Sequence, residues 1–211
     1  MRRALFILVI LICPTLAFSG ISGSSHDFSS AIWACGKICA PCHTSHNGIK
    51  TTAAPLWSRN MRNVTYRVYS SDSMVADVEQ PSGVSKLCLS CHDGITALDS
   101  FGKNRGSVSI KGKGNLGIDL GTHHPVSFVY NSALAAVNKG LKDPVVSSSG
   151  LGGTIARDLL SKQRVECTSC HDVHNEKGDL LSITNSAGST GLCLVCHTKV
   201  WLEQLRTPKV K

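Results

Sequence analysis

Residues 39–46 read Cys-Ala-Pro-Cys-His-Thr-Ser-His, and residues 167–174 read Cys-Thr-Ser-Cys-His-Asp-Val-His. Both stretches contain the pattern C-x-x-C-H, which recurs at residues 88–92 and 193–197. Two cysteines at this spacing form thioether bonds along one edge of a haem, and the histidine that follows supplies the proximal ligand to the iron. The four motifs therefore predict four haems c, each covalently attached by thioether links.

Paired cysteines also build tetrahedral zinc sites and disulfide frameworks. Neither needs a histidine directly after every cysteine pair, so the repeated histidine favours haem. The predicted attachment cysteines are Cys39, Cys42, Cys88, Cys91, Cys167, Cys170, Cys193 and Cys196. The predicted proximal ligands are His43, His92, His171 and His197.

Five further histidines are candidates for the second axial position of each iron. His46 and His174 each follow a proximal histidine by three residues, a spacing that puts both imidazoles on one side of a helical turn. Because so short a tether cannot pass around the ring of its own haem, each of the two is predicted to bind a neighbouring iron.

The remaining candidates are His26 and the adjacent pair His123 and His124. Pro125 restricts the residue before it to extended conformations, which favours His124 while leaving the choice between the two open. Asp27 is placed to orient the ring of His26. Ligation by two histidines is expected at every iron, and it implies low reduction potentials.

The rest of the chain is poor in side chains that fill a core. Aromatic residues make up 5% of the 211 residues, and 19 are glycine, so side-chain burial alone offsets little of the conformational entropy lost on folding. We expect mostly irregular coil with short helices wrapped around a stacked tetrahaem core, and little sheet. Helices are predicted at Ser132–Lys139, Ile155–Lys162 and Val200–Leu205, and helical turns at the second and fourth motifs. A loop or short hairpin is predicted at 101–122, and a loop at 145–153.

Residues 1–19 have the pattern of a signal peptide, with Arg2 and Arg3 before an apolar run from Ala4 to Ala17. An uncleaved anchor is the alternative, although the run is short for a membrane span. Residues 20–211 then form a single tetrahaem domain, without a membrane span. Once Arg2 and Arg3 are removed, 20 basic and 14 acidic residues leave a charge of +6, which is weak support for nucleic-acid binding. Cys35 is left over, as a free, intermolecular or buried thiol.

Several segments together resemble the doubled-CXXCH multihaem cytochromes of metal-reducing bacteria: ICAPCHTSH (38–46), APLW (54–57), LCLSCHDG (87–94), HHPVSF (123–128), CHDVH (170–174) and CLVCH (193–197). The likeness is greatest to the small extracellular tetrahaem cytochromes that polymerise into nanowires. It implies stacked haems, distal ligands at His46, His124 and His174, and His26 as a ligand shared between subunits. The chain departs from the family pattern at Ser45, often proline, and at His123, often acidic.

The resemblance implies a secreted electron carrier at the cell exterior or outer-membrane surface, with a head-to-tail homopolymer, other multihaem cytochromes and extracellular electron acceptors as partners. The count of histidines permits two ligands for every iron, which disfavours an enzyme because no open position remains for chemistry. A monomeric periplasmic shuttle with the same haem content is the main alternative. A multihaem oxidoreductase, which needs an open iron, is the second.

Overall fold

The computed structural model describes residues 20–175, 181–183 and 188–200. The predicted signal peptide and nearly all of the predicted helix Val200–Leu205 lie outside these residues. None of the helices in the described part of the chain is long and apolar enough to cross a membrane.

Regular structure is short and scattered along the described chain. It comprises helices α1 (Gly83–His92), α2 (Ser132–Val137), α3 (Ile155–Asp158) and α4 (Gly188–Cys196), strands β1 (Phe128–Val129) and β2 (Arg164–Val165), and 3₁₀ turns at Ile32–Ala34, Gly112–Gly114 and Cys167–Ser169. The two strands pair antiparallel, with Phe128 opposite Val165. Loops and turns connect these elements, which confirms the prediction of irregular coil with short helices and little sheet.

Helix α2 begins at the residue that was predicted. The side chain of Asn131 accepts a hydrogen bond from the backbone N–H of Leu134 at 3.0 Å, which satisfies one of the free donors at the start of the helix. The helix ends at Val137, two residues before the predicted Lys139. Ala135 on its inner face is buried in the main hydrophobic cluster.

Helix α3 is shorter than predicted. It begins at Ile155, where the hydroxyl of Thr154 accepts from the backbone N–H of Arg157 at 3.3 Å, but it ends at Asp158 rather than Lys162. Lys162 and Gln163 adopt positive φ angles of 52° and 59°. A right-handed helix cannot continue through that conformation, and the chain turns there into β2.

Two hydrophobic clusters hold the fold together. The larger one joins β1, β2, α2 and α3, and its buried members are Phe128, Tyr130, Ala135, Ile155, Leu159, Leu160, Val165 and Ile183. The smaller one consists of Tyr66, Leu89 and Leu120. Because Leu89 lies on α1 and Leu120 lies in the predicted loop 101–122, the second cluster fastens that loop to the helix that carries the second motif.

Helix α1 packs against the 3₁₀ turn that carries the third motif. The hydroxyl of Ser85 accepts from the backbone N–H of Cys167 at 3.0 Å and donates to the carboxylate of Glu166. Ser127 donates to the same carboxylate at 3.0 Å. The second and third motifs, far apart in the sequence, therefore share a buried polar contact.

Candidate haem attachment sites

Each C-x-x-C-H motif folds as one helical turn. The backbone N–H of the histidine donates to the carbonyl of the first cysteine at 2.8 Å in the first motif and at 2.9 Å in the third and fourth. The second motif forms the last turn of α1. Since residues three and four apart share one face of such a turn, both thiols and the imidazole project to the same side, as attachment to a single haem requires.

Two proximal imidazoles are oriented by backbone carbonyl groups. Nδ1 of His43 lies 2.8 Å from the carbonyl oxygen of Pro55, and Nδ1 of His92 lies 2.6 Å from that of Gly114. A carbonyl oxygen only accepts hydrogen bonds, so Nδ1 carries the proton in both rings. Nε2 is then left with a lone pair, the arrangement typical of a metal-binding histidine.

The loop that supplies the Pro55 carbonyl depends on Gly48. Ile49 and His43 both form isolated bridges with Trp57, so the chain folds back closely on itself. A Cβ atom at Gly48 would lie 2.9 Å from backbone atoms of Leu56. Glycine therefore permits the close approach that brings the carbonyl to the first proximal histidine.

Among the described residues, three pairs of imidazole rings lie close together. Each pair consists of a proximal histidine and a histidine that lies outside that C-x-x-C-H motif. The ring centroids lie 5.8 Å apart for His26 and His92, 6.4 Å for His43 and His174, and 6.3 Å for His124 and His197. Two imidazoles on opposite sides of one metal, with metal–nitrogen bonds of about 2.0–2.1 Å, have centroids roughly 6.4 Å apart. The histidines present therefore fit a haem iron held between the members of each pair.

These pairs link distant parts of the chain. His174 follows the third motif but lies beside His43, the proximal histidine of the first. His26 lies beside His92 of the same chain. Three of the four predicted distal histidines are thus opposite a proximal one, and His46 is the exception.

Burial favours the metal-binding form of two of these imidazoles. Burial lowers the pKa of His26, and the charges of His92 and His171 lower it further. Burial also lowers the pKa of His197 to about 4, with His124 adding to the effect. Both imidazoles are therefore neutral at pH 7, and a neutral imidazole is the form that binds a metal. Nδ1 of His26 is buried without a hydrogen-bond partner in the described residues.

The third motif faces an apolar cleft. Cys167, Cys170 and His171 line it together with His123 and His124, and its apolar walls include Val68, Val78, Leu89, Leu116, Leu120 and Val126. His124 lies beside His197, and His123 lines the same cleft as His171. The sequence leaves the choice between His123 and His124 open, and in the structure both neighbours line this cleft.

His46 is exposed on the loop after the first motif. Its backbone carbonyl accepts from the hydroxyl of Thr44 at 2.9 Å, which fixes a local turn. Within the described part of the chain, its imidazole makes no hydrogen bond, ion pair or ring contact. The structure therefore separates His46 from His174, although both occupy the same position in a C-x-x-C-H-x-x-H sequence.

The attachment cysteines of the second and third motifs are close neighbours. The interaction between the thiols of Cys88 and Cys167 is the largest influence on the pKa of each group. That interaction, with burial, raises the pKa of Cys88, and it lowers the pKa of Cys167 to about 7. The attachment sites of the second and third motifs therefore adjoin.

The other motifs continue this arrangement in chain order. Burial, and then the neighbouring Cys91, raise the pKa of Cys42 to about 11, so the first motif adjoins the second. Burial, and then Cys193, raise the pKa of Cys170, so the third adjoins the fourth. We call this succession of neighbouring attachment sites, from Cys42 through Cys91, Cys88, Cys167 and Cys170 to Cys193, the cysteine row.

The alternative to haem attachment is a metal site built from side chains alone. In the described ranges, no group of three or more His, Cys, Asp or Glu side chains is arranged to hold a metal ion by itself. Cys35 is exposed, and its Sγ lies 3.5 Å from the carbonyl oxygen of Ile32.

Comparison with known proteins bears on the second half of the chain. Residues 161–200 match the family model of the doubled CXXCH motif, and this segment holds the third and fourth motifs. No curated protein matches the chain. The residues present fit haem at the CXXCH motifs, as the ring pairs and the cysteine row indicate. The match therefore supports a chain of the multihaem c-type cytochrome kind, with haem c bound covalently at CXXCH motifs.

Proposed function

We propose that this chain transfers electrons through four covalently bound haems, each with two histidine ligands, as the repeating subunit of an extracellular filament. The cysteine row is the observation that carries the proposal. Each haem supplies one-electron chemistry when bound. The chain's part is to hold the four attachment sites in an unbroken succession, so that electrons pass from site to site without a substrate pocket.

Histidine supply argues for a carrier rather than an enzyme. His26, His124 and His174 each lie beside a proximal histidine, and His123 lies on the cleft of the third motif. A second ligand is therefore at hand for every iron. A six-coordinate iron has no position at which a substrate binds, so we propose no catalytic residue.

The exposed position of His46 supports the filament. An imidazole that has no partner among the described residues, held out on a fixed turn, is available to an iron of a neighbouring copy. The third motif is where it would bind, in place of His123. The position of His26 beside His92 favours ligation within its own chain, so His46 replaces His26 as the proposed ligand between subunits.

One observation favours the monomeric periplasmic shuttle instead. With His123 on the cleft beside His171, a single chain can supply both ligands to each of its four irons. In that case no histidine from a second copy is needed, and His46 is a solvated surface residue. The filament and the shuttle therefore differ in which histidine binds the iron at the third motif.

The first experiment measures haem content and spin state in the purified protein. Intact-mass spectrometry should show four haems, and the ferric spectrum should be entirely low-spin. A protein without haem, or with a substantial high-spin fraction in the assembled wild type, would refute the proposed electron carrier.

The second experiment compares His46→Ala with His123→Ala by electron microscopy of extracellular material and by ferric spectroscopy. If His46 ligates between subunits, filaments disappear in His46→Ala and persist in His123→Ala. If the shuttle is correct, wild type forms no filaments, His46→Ala is silent, and His123→Ala makes one haem high-spin.

Export and partners complete the proposal. The signal-peptide pattern of residues 1–19 supports secretion to the cell exterior or outer-membrane surface. There the filament would take electrons from other multihaem cytochromes and pass them to external acceptors. Immunodetection in periplasmic, outer-membrane and extracellular fractions tests this, and a protein confined to the periplasm would favour the shuttle.

A further inference from the structure

Two side chains of opposite charge are almost fully buried beside the cysteine row. Arg59 is 1% exposed and Glu166 is 3% exposed. Charged residues are rarely buried so completely unless they are paired, because removing an ion from water is costly. Their positions along the row therefore need an explanation.

Arg59 lies at the junction of the first and second motifs. Within the described residues its guanidinium has no carboxylate at ion-pair distance, and it donates to backbone carbonyl oxygens of Leu98 (2.7 Å), Ala97 (2.7 Å) and Ser90 (3.3 Å). Ser90 directly precedes Cys91. Burial raises the pKa of the Cys91 thiol, and the charge of Arg59 is the largest opposing effect.

Two buried acidic groups lie near Arg59 and oppose its charge. Asp99 is buried within electrostatic range. Burial alone would raise its pKa, but backbone N–H groups and the charge of Arg59 lower it. Asp93 raises the pKa of the Cys91 thiol, whereas Arg59 lowers it, and the effect of Asp93 is the weaker of the two. At Cys42, the charge of Arg59 lowers the pKa of the thiol, against burial and Cys91, which raise it.

Glu166 lies at the junction of the second and third motifs, directly before Cys167. Its carboxylate accepts from the hydroxyls of Ser85 and Ser127, neither of which carries a charge. Arg164 is the nearby cation, with Nε at 3.9 Å from Glu166 but Nη2 at 2.8 Å from the carboxylate of Glu79. One arginine is thus shared by two carboxylates, and the local charge is negative.

We propose, given the electron-transfer function proposed above, that Arg59 and Glu166 create a step in reduction potential along the cysteine row. Reduction adds an electron to a haem, so a buried cation stabilises the reduced form and a buried anion opposes it. Arg59 therefore raises the potential at the end of the row near the first motif, and Glu166 lowers it at the third motif. Electrons that enter the protein collect first at the Arg59 end.

The test is potentiometric titration of the haem-loaded protein, followed by optical and electron paramagnetic resonance spectra. Arg59→Gln and Glu166→Gln remove each charge, and Arg59→Lys and Glu166→Asp keep it. Arg62→Gln and Asp77→Asn, at exposed positions, are matched controls for charge removal. Haem content by mass and the low-spin ferric spectrum are recorded for each protein first.

We expect Arg59→Gln to lower at least one midpoint potential and Glu166→Gln to raise at least one. Coulomb's law at an effective dielectric constant of about 20 gives roughly a tenfold change in equilibrium constant for charges on the order of 10 Å apart, and tenfold is about 59 mV for a one-electron couple. The charge-keeping variants should resemble wild type, and the exposed controls should shift far less.

Potentials that stay unchanged in both glutamine variants, or that shift equally in the exposed controls, would overturn this inference while leaving the electron carrier intact. A wild type without haem would instead refute the proposed function itself. If Arg59→Gln fails to take up haem, the Glu166 variants decide, because glutamine has nearly the shape of glutamate and still accepts from Ser85 and Ser127.

Discussion

Replacing His174 with alanine should change one haem and leave the others as they are. The imidazole of His174 lies 6.4 Å, between ring centroids, from that of His43 in the first motif. Its removal takes away one axial ligand there, while Nδ1 of His43 keeps its contact with the Pro55 carbonyl at 2.8 Å. One motif of the four is affected, so a quarter of the haem should become high-spin.

His46→Ala is the matched control, because His46 has the same position in its motif and its imidazole has no partner in the described residues. The two variants are compared in dispersed protein by ferric absorption and electron paramagnetic resonance, with covalent haem counted by mass. We expect full haem content in both, because the thioether bonds remain. His174→Ala should show one more high-spin haem than dispersed wild type, and His46→Ala should match dispersed wild type, because a ligand shared between subunits is already lost on dispersal. A His174→Ala spectrum identical to that of dispersed wild type, or a His46→Ala spectrum that differs from it, would refute the assignment.

Two further outcomes concern stability. Asn131→Ala removes the side-chain cap of α2, which accepts from Leu134 at 3.0 Å, and should lower the free energy of unfolding in urea by about 1 kcal/mol; unchanged stability would mean that the cap contributes nothing. Hydrogen bonds from Arg157 and then Ser149 lower the pKa of Asp158 below its ordinary 3.8. The charged carboxylate therefore stabilises the fold above pH 3.8. This stabilisation is lost as the pH falls through the folded-state pKa. Asp158→Asn should therefore lower the melting temperature at pH 7 but not below that pKa, and a calorimetric difference independent of pH would contradict this.

Local features of the sites could be predicted from the sequence. The spacing C-x-x-C-H fits a single helical turn, and each motif folds that way. The short tether of His174 predicted an approach to a different iron, and the structure places it beside His43. Asn131 and Thr154 are residues that commonly cap helices, so the starts of α2 and α3 were also predictable.

Long-range features could not be predicted, because they depend on how distant loops meet. No sequence pattern pairs His26 with His92, or His124 with His197. The helix predicted to reach Lys162 could not be foreseen to stop short of it, because positive φ angles such as those at Lys162 and Gln163 are unusual for residues other than glycine.

The burial of Arg59 and Glu166 was equally hidden. Charged residues lie at the surface in most proteins, and neither residue belongs to a recognisable motif. Their environment follows from packing around the cysteine row, between segments that are remote in the sequence. The burial of these two charges near the motifs could therefore be recognised only from the structure.

The proximity of the thiols of Cys88 and Cys167 also bears on how the protein is made. Two thiols that lie close together within a folded chain are substrates for oxidation to a disulfide, above all in an oxidising compartment. A bond between them would consume one cysteine of each motif and leave both unable to complete a pair of thioether links. Haem must therefore be attached before the two thiols meet in the folded chain, or a reductant must keep both thiols reduced until the thioether bonds have formed.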